Sequence, residues 1–265
     1  MVFQLPAVPF LEQPTVGAMT DYELFRPFLY TRQLRFSYGQ LEHTAAYTWQ
    51  RNVARLPPSD MIATLEHAGF AALYIRRDAF ADRATGLEEM LLRSGRERLL
   101  DTDNQVVFRL RPAPAGAPPL PAEDPLGHNR WDDSAPVLGQ PAVLVGDGWF
   151  QVEHEPRGPW RWAGQHATLY LWHPSAEPAV AQLRFSVSAT SHTVFTVEVG
   201  TVRHREMVRA YQASPVELTV PLQPGLNELR LFTDAGARRA GPADPRRIAF
   251  NVADLAVDFS PARRE

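Results

Sequence analysis

Neither cysteine nor lysine occurs among the 265 residues. The missing cysteines exclude disulfides, thiolate nucleophiles and Cys-based zinc or iron–sulfur sites. All 27 basic residues are arginine, which excludes Schiff-base lysines, phosphate-loop lysines and Ser-x-x-Lys pairs. A GC-rich genome is the plain reason for that bias. No stretch of 18 apolar residues is present, so no membrane-spanning helix is expected. The opening "MVFQLPAVPF" has no basic n-region and is interrupted by Pro6 and Pro9, so it does not read as a signal peptide. With a net charge of −3 and interspersed arginines and acids, the chain lacks the one-sided basic stripe that nucleic acid needs. No GxSxG, GxGxxG or EF-hand loop occurs, and neither a cofactor nor a metal is expected.

What is present is an ordinary globular composition, 45% hydrophobic and 22% charged. The segment 112–125, "PAPAGAPPLPAEDP", has proline at six of fourteen positions, the composition of an extended spacer. It divides the chain into an α+β arrangement of two domains: residues 1–112, a linker over 113–135, and residues 136–260.

In the first part helix and strand signals alternate. "MVFQLP" and "FAALYIRR" read as strands. "PPSDMIATLEHAG" reads as a helix with a Met61, Ile62, Leu65 stripe, and "ATGLEEMLLRSGR" as a helix with Leu87, Met90 and Leu91 inward. Pro27 limits "TDYELFRPFLYTRQL" to short helices. "RERLLDTDNQVVFRLRP" reads as two strands around an Asp-Asn turn at 103–104. The expectation is a small α/β layer with a mixed sheet of about four strands. After the linker, nine or ten short alternating runs at roughly ten-residue spacing predict a β-sandwich, most simply a jelly roll.

Three of the six tryptophans fall in "DGWFQVEHEPRGPWRWAG", residues 147–164. Read as one strand, "WFQVEHE" puts Phe150, Val152 and His154 on an inward face and Trp149, Gln151, Glu153 and Glu155 on the other. Glu153 and Glu155 then stand about 7 Å apart along the strand. That spacing suits a carboxylate pair for glycoside hydrolysis, and equally a solvated strand face. "GPWRWAG" puts Trp160 and Trp162 opposite Arg161. Those tryptophans either fill the core or stack on sugar rings. Arg26, Arg35 and Tyr38 form a second candidate patch in "FRPFLYTRQLRFSYG". There arginines serve either an anionic ligand or a structural ion-pair network.

"VFQLPAVPFLE", "DYELFRPFLYTRQLRFSYG", "AYTWQR", "GFAALYIRRDAFAD", "VVFRLRP", "GWFQVEHEPRGPWRWAG" and "ADPRRIAFNVADLAVDF" together resemble the region after the last membrane helices in bacterial multi-pass membrane proteins similar to the GT-C class of glycosyltransferases. The resemblance spans about residues 1–112 and 141–259. It implies an extracytoplasmic (periplasmic) location and a membrane-embedded partner or a membrane domain preceding this chain. No catalytic residue is carried over, because in that class the catalytic acid lies on loops between membrane helices.

The expected function is therefore that of a non-catalytic, soluble accessory region of a cell-envelope glycosyltransferase-like protein. Its sandwich would bind or position an envelope glycan through Trp149, Glu153, Glu155, Trp160 and Trp162. The alternatives are a protein–protein module without ligand, and a carbohydrate hydrolase with Glu153 or Glu155 as general acid.

Overall fold

The computed structural model describes residues 1–10, 15–20, 22–113, 125–155 and 158–262. The chain divides into two compact units, Met1–Gly127 and His128–Glu265. Of the segment expected as a linker, residues 114–124 lie outside the described residues. Its later part is packed: Leu126 is buried within the first unit and Trp131 within the second.

The first unit holds strands β1 (Val2–Leu5), β2 (Ala72–Arg76), β3 (Arg98–Asp101) and β4 (Gln105–Arg109), in the order β1-β2-β4-β3. β1 and β2 run parallel, and the other pairs are antiparallel. Its helices are α1 (Arg26–Leu29), α2 (Ala45–Ala54), α3 (Pro58–His67) and α4 (Thr85–Arg93). α1 has a single turn because Pro27 cannot donate within a longer helix. Thr44 caps α2, its hydroxyl accepting from the Tyr47 amide at 3.2 Å. α3 buries Met61, Ile62 and Leu65, the stripe read from its spacing.

α4 departs from its expected stripe. Leu91 is buried, but Glu88 is the other buried residue, in place of Leu87 and Met90. The reason is electrostatic. Arg77 donates to both Glu88 oxygens at 2.6 and 2.8 Å, and Arg98 adds a third bond at 3.1 Å, so the carboxylate enters the interior already paired.

The second unit is a β-sandwich. Its strands are β5 (Ala142–Val145), β6 (Glu153–Glu155), β7 (Gly158–Ala163), β8 (His166–His173), β9 (Ala179–Ala189), β10 (Thr193–Val199), β11 (Val202–Val208), β12 (Ser214–Leu222), β13 (Gly225–Thr233), a short β14 (Arg238–Arg239) and β15 (Arg247–Ile248) pair, and β16 (Phe250–Pro261). One sheet is ordered β11-β10-β13-β8-β5, the other β12-β9-β16-β7-β6. Numbering β7 to β13 and then β16 from one to eight, the sheets read 1-8-3-6 and 2-7-4-5. These are two nested Greek keys, the order of a jelly roll.

Alternation builds the interior. β9 buries every second residue from Ala179 to Ala189, and Leu183, Phe185 and Val187 meet Phe195, Leu231 and Phe250 in one core. β16 interrupts this pattern once. Its register against β9 shifts between Ala253 and Ala256, and Asp254 takes a left-handed φ of 55°. One extra residue is accommodated there as a β-bulge. Before it Phe250 and Val252 point inward; after it Leu255, Val257 and Phe259 do.

Candidate functional site

The segment 147–164 is not the pair of regular strands that its alternation predicts. Gly148, at φ 86°, turns the chain so that Trp149 bridges Ala163. The Trp149 ring packs against the core, edge-on to Trp131 at 5.1 Å and to Phe250 at 5.8 Å. Its indole nitrogen donates to the Thr168 carbonyl at 2.7 Å. The backbone then leaves the ladder and re-enters as β6 only at Glu153. The period-2 phase is lost between the two points, and His154, expected inward, is exposed on a three-residue edge strand.

On β7 the faces are reversed with respect to size. Arg161 points inward and is 4% exposed, while Trp160 and Trp162 are half-buried on the outer face. Trp131, Trp149 and Phe250 already occupy that end of the core. Arg161 donates to the carbonyls of Trp131 at 3.1 Å and Phe150 at 3.0 Å, and its guanidinium lies 5.6 Å from the Trp131 ring centre. Asp133 stands 3.6 Å from it. Burial pushes the Arg161 pKa down, and Asp133 opposes that shift.

Trp160 and Trp162 meet edge-on, 5.7 Å apart and at 69°. Trp162, Asn251 and Ser188 form one row across β7, β16 and β9. Beside the large indoles the outer face carries the short side chains of Ser186, Ser188 and Ala253. The size difference opens a groove of about 250 Å³ that reaches Trp160, Asn251 and the bulge residue Asp254. The Trp160 indole N–H has no acceptor among the described residues. One aromatic wall, two hydroxyls, an amide and a carboxylate therefore line one depression. Such a set stacks on and hydrogen-bonds a polyhydroxylated ring.

Glu153 is not among the described residues that line this groove. Glu153 accepts from Arg246 at 2.8 Å, and Arg246 also binds both oxygens of Asp244, Oδ2 at 2.7 and 2.9 Å and Oδ1 at 3.1 Å. Hydrogen bonds from the Arg246 side chain and backbone amide hold the Asp244 carboxyl below its ordinary value. The side chain of Glu155 lies outside the described residues.

In the first unit Tyr38 is buried, edge-on to Phe10 at 5.8 Å. Arg26 is exposed and pairs with Glu23 at 3.2 Å. Arg35 is exposed, and its carbonyl accepts from the Val2 amide at 2.8 Å. The three residues share a segment; Tyr38 belongs to the core and the arginines to the surface. Among the described residues no group of three His, Asp or Glu is placed to hold a metal ion, and no helix is long and apolar enough to cross a membrane.

The sequence reading missed Asn251, Asp254, Ser186 and Ser188. For Asp254 a signal exists: the alternation in "FNVADLAVDF" skips one residue there.

No protein-family model matches the chain, and no curated protein matches it. Among solved structures it is similar to a family 35 carbohydrate binding module from Clostridium thermocellum, with 11% identity and a TM-score of 0.31 over 49% of this chain and 95% of that one. It is also similar to the CBM22-1 xylan-binding domain from Paenibacillus barcinonensis Xyn10C, with 13% identity and a TM-score of 0.29 over 46% and 87%. For a family 35 module from an environmental isolate the values are 18% and 0.27 over 46% and 98%.

Proposed function

We propose that the β-sandwich is a non-catalytic glycan-binding module whose site is the groove on the outer face of β7, β16 and β9. The observation that carries this reading is the juxtaposition of the Trp160 ring with Ser186, Ser188, Asn251 and Asp254 around one depression. An indole face provides sugar stacking, and the short polar side chains provide hydroxyl contacts without blocking approach. Glu153, the described member of the carboxylate pair, is engaged by Arg246. That favours binding over hydrolysis.

Titration of the full chain with a panel of envelope oligosaccharides, followed by tryptophan fluorescence, tests the assignment. The expected result is a saturable change with at least one oligosaccharide. Trp160→Ala and Asn251→Ala weaken it about tenfold or more, while Arg184→Ala, whose partner is Asp258, leaves it unchanged. No response to any oligosaccharide, or equal affinity in Trp160→Ala, rejects the site.

The wider setting is part of the same proposal: an extracytoplasmic accessory region of a cell-envelope glycosyltransferase-like membrane protein, with a small α/β domain ahead of the sandwich. It rests on the sequence resemblance. Reading the genomic DNA upstream of Met1 tests it. A continuous frame encoding several apolar 20-residue segments supports it, and a stop codon with a ribosome-binding site immediately before Met1 counts against it.

A further inference from the structure

We infer that the first unit carries a separate binding site, an apolar cleft that takes a single aliphatic chain bearing an anionic head. The four-stranded sheet has two unequal faces. One is closed: Leu73, Ile75, Val106 and Phe108 are fully buried. On the other, Tyr74, Val107 and Leu100 stand side by side across β2, β4 and β3. The segment 30–36 covers that face only in part. It is tied to the sheet edge by the Val2–Phe36 bridge and by hydrogen bonds of Val2 to Arg35 (2.8 Å) and Ser37 (3.0 Å). Leu24, Phe28 and Phe36 pack with Tyr74 and Val107 in one cluster, and the rest of the face stays open among the described residues.

What remains is a cleft of about 550 Å³, inside the size range of small-molecule sites. Its rim exposes large apolar side chains: Tyr30 is 86% exposed, Leu34 56% and Leu100 44%. Such a patch is normally covered by something.

Charge specifies the head group. Arg26, which is largely exposed and shares its charge with Glu23 at 3.2 Å, is the only charged side chain lining the cleft among the described residues. The segment 26–38 carries Arg26, Arg32 and Arg35 and no acidic residue. Neither Arg32 nor Arg35 has an acidic partner among the described residues. Tyr74, buried in the floor, lies beside Arg76 and has no acceptor for its own hydroxyl proton among the described residues. An apolar channel with a cationic mouth and a spare donor matches a carboxylate or phosphate on an aliphatic chain.

The test titrates the full chain by calorimetry with dodecanoate and dodecyl phosphate below their micelle concentrations, against dodecanol and dodecylammonium. One saturable site for the anions is expected, at least fivefold tighter than for dodecylammonium. Arg26→Ala should remove most of that preference and leave dodecanol unaffected. Leu34→Arg, a change at an exposed position, should block all four ligands. Trp160→Ala should change none of them, which separates this site from the glycan groove. Three outcomes overturn the inference: no anion binding, equal binding of dodecylammonium, or a concentration-dependent dimer that Leu34→Arg abolishes, which would assign the patch to a second copy of the chain.

Discussion

Arg161 holds Trp131 at two points: its Nε donates to the Trp131 carbonyl at 3.1 Å, and its guanidinium lies 5.6 Å from the centre of the Trp131 ring. A single buried cation thereby fixes the loop before β5 to the strand that presents Trp160 and Trp162 on its opposite face.

Removing that cation should loosen both. Arg161→Ala is expected to destabilise the sandwich by about 2–4 kcal/mol, because two carbonyls lose their donor and a cavity opens beside Trp131. Arg161→Lys should recover less than half, since an ammonium lacks the planar fork that spans two carbonyls and an indole. Urea unfolding followed by tryptophan fluorescence measures both; an unchanged midpoint in Arg161→Ala would show that the contacts contribute nothing.

The bulge makes a sharper distinction. Asp254 sits at φ 55°, a region glycine enters without cost and β-branched residues resist. Asp254→Gly should leave stability within about 1 kcal/mol of the parent, whereas Asp254→Val should cost about 1–2 kcal/mol. Thermal midpoints of the two variants give the comparison, and equal midpoints would contradict it.

Gly148 is constrained by space as well as by conformation. At φ 86° a β-carbon there would collide with the His166 carbonyl oxygen and stand 2.8 Å from the Ala167 Cα. Gly148→Ala is expected to cost about 3 kcal/mol or more, and to shift Trp149 out of its contact with Thr168. Loss of near-ultraviolet circular dichroism at temperatures where the parent is folded would register it.

Acid should weaken the sandwich in a defined window. Asp244 is held below its ordinary value by the hydrogen bonds of Arg246. For Asp132, burial raises the pKa, but the Ser134 hydroxyl and amide outweigh burial and lower it. A carboxyl depressed in the folded state stabilises above its unfolded pKa of about 4, and that contribution disappears as pH falls through the folded value. The thermal midpoint should therefore drop as pH is lowered below about 4. The drop should be shallower in an Asp132→Asn, Asp244→Asn double variant; an identical pH profile would mean that other carboxylates control acid unfolding.

The sandwich strands are legible because burial on one face writes itself into the sequence with period 2, as in β9. The α3 stripe is legible for the same reason at helical period. The site was harder to read. Alternation separates Arg161 from Trp160 and Trp162 but cannot say which side faces the core. Side-chain size argues for the tryptophans, and the structure chooses Arg161 because residues distant in sequence, Trp131 and Phe250, had filled that space. In the same way Glu88 looks like a surface residue until Arg77 and Arg98 are brought to it. His154 was misplaced by a local slip in strand phase that no residue type announces.

The bulge at Asp254 also separates what the fold requires from what it displays. Deleting Asp254 from "FNVADLAVDF" leaves "FNVALAVDF", an uninterrupted alternation in which Phe250, Val252, Leu255, Val257 and Phe259 all still face the core. The interior is thus indifferent to this residue. A chain shorter by that single codon would assemble the same hydrophobic layers while presenting a smooth strand where the groove now has a carboxylate.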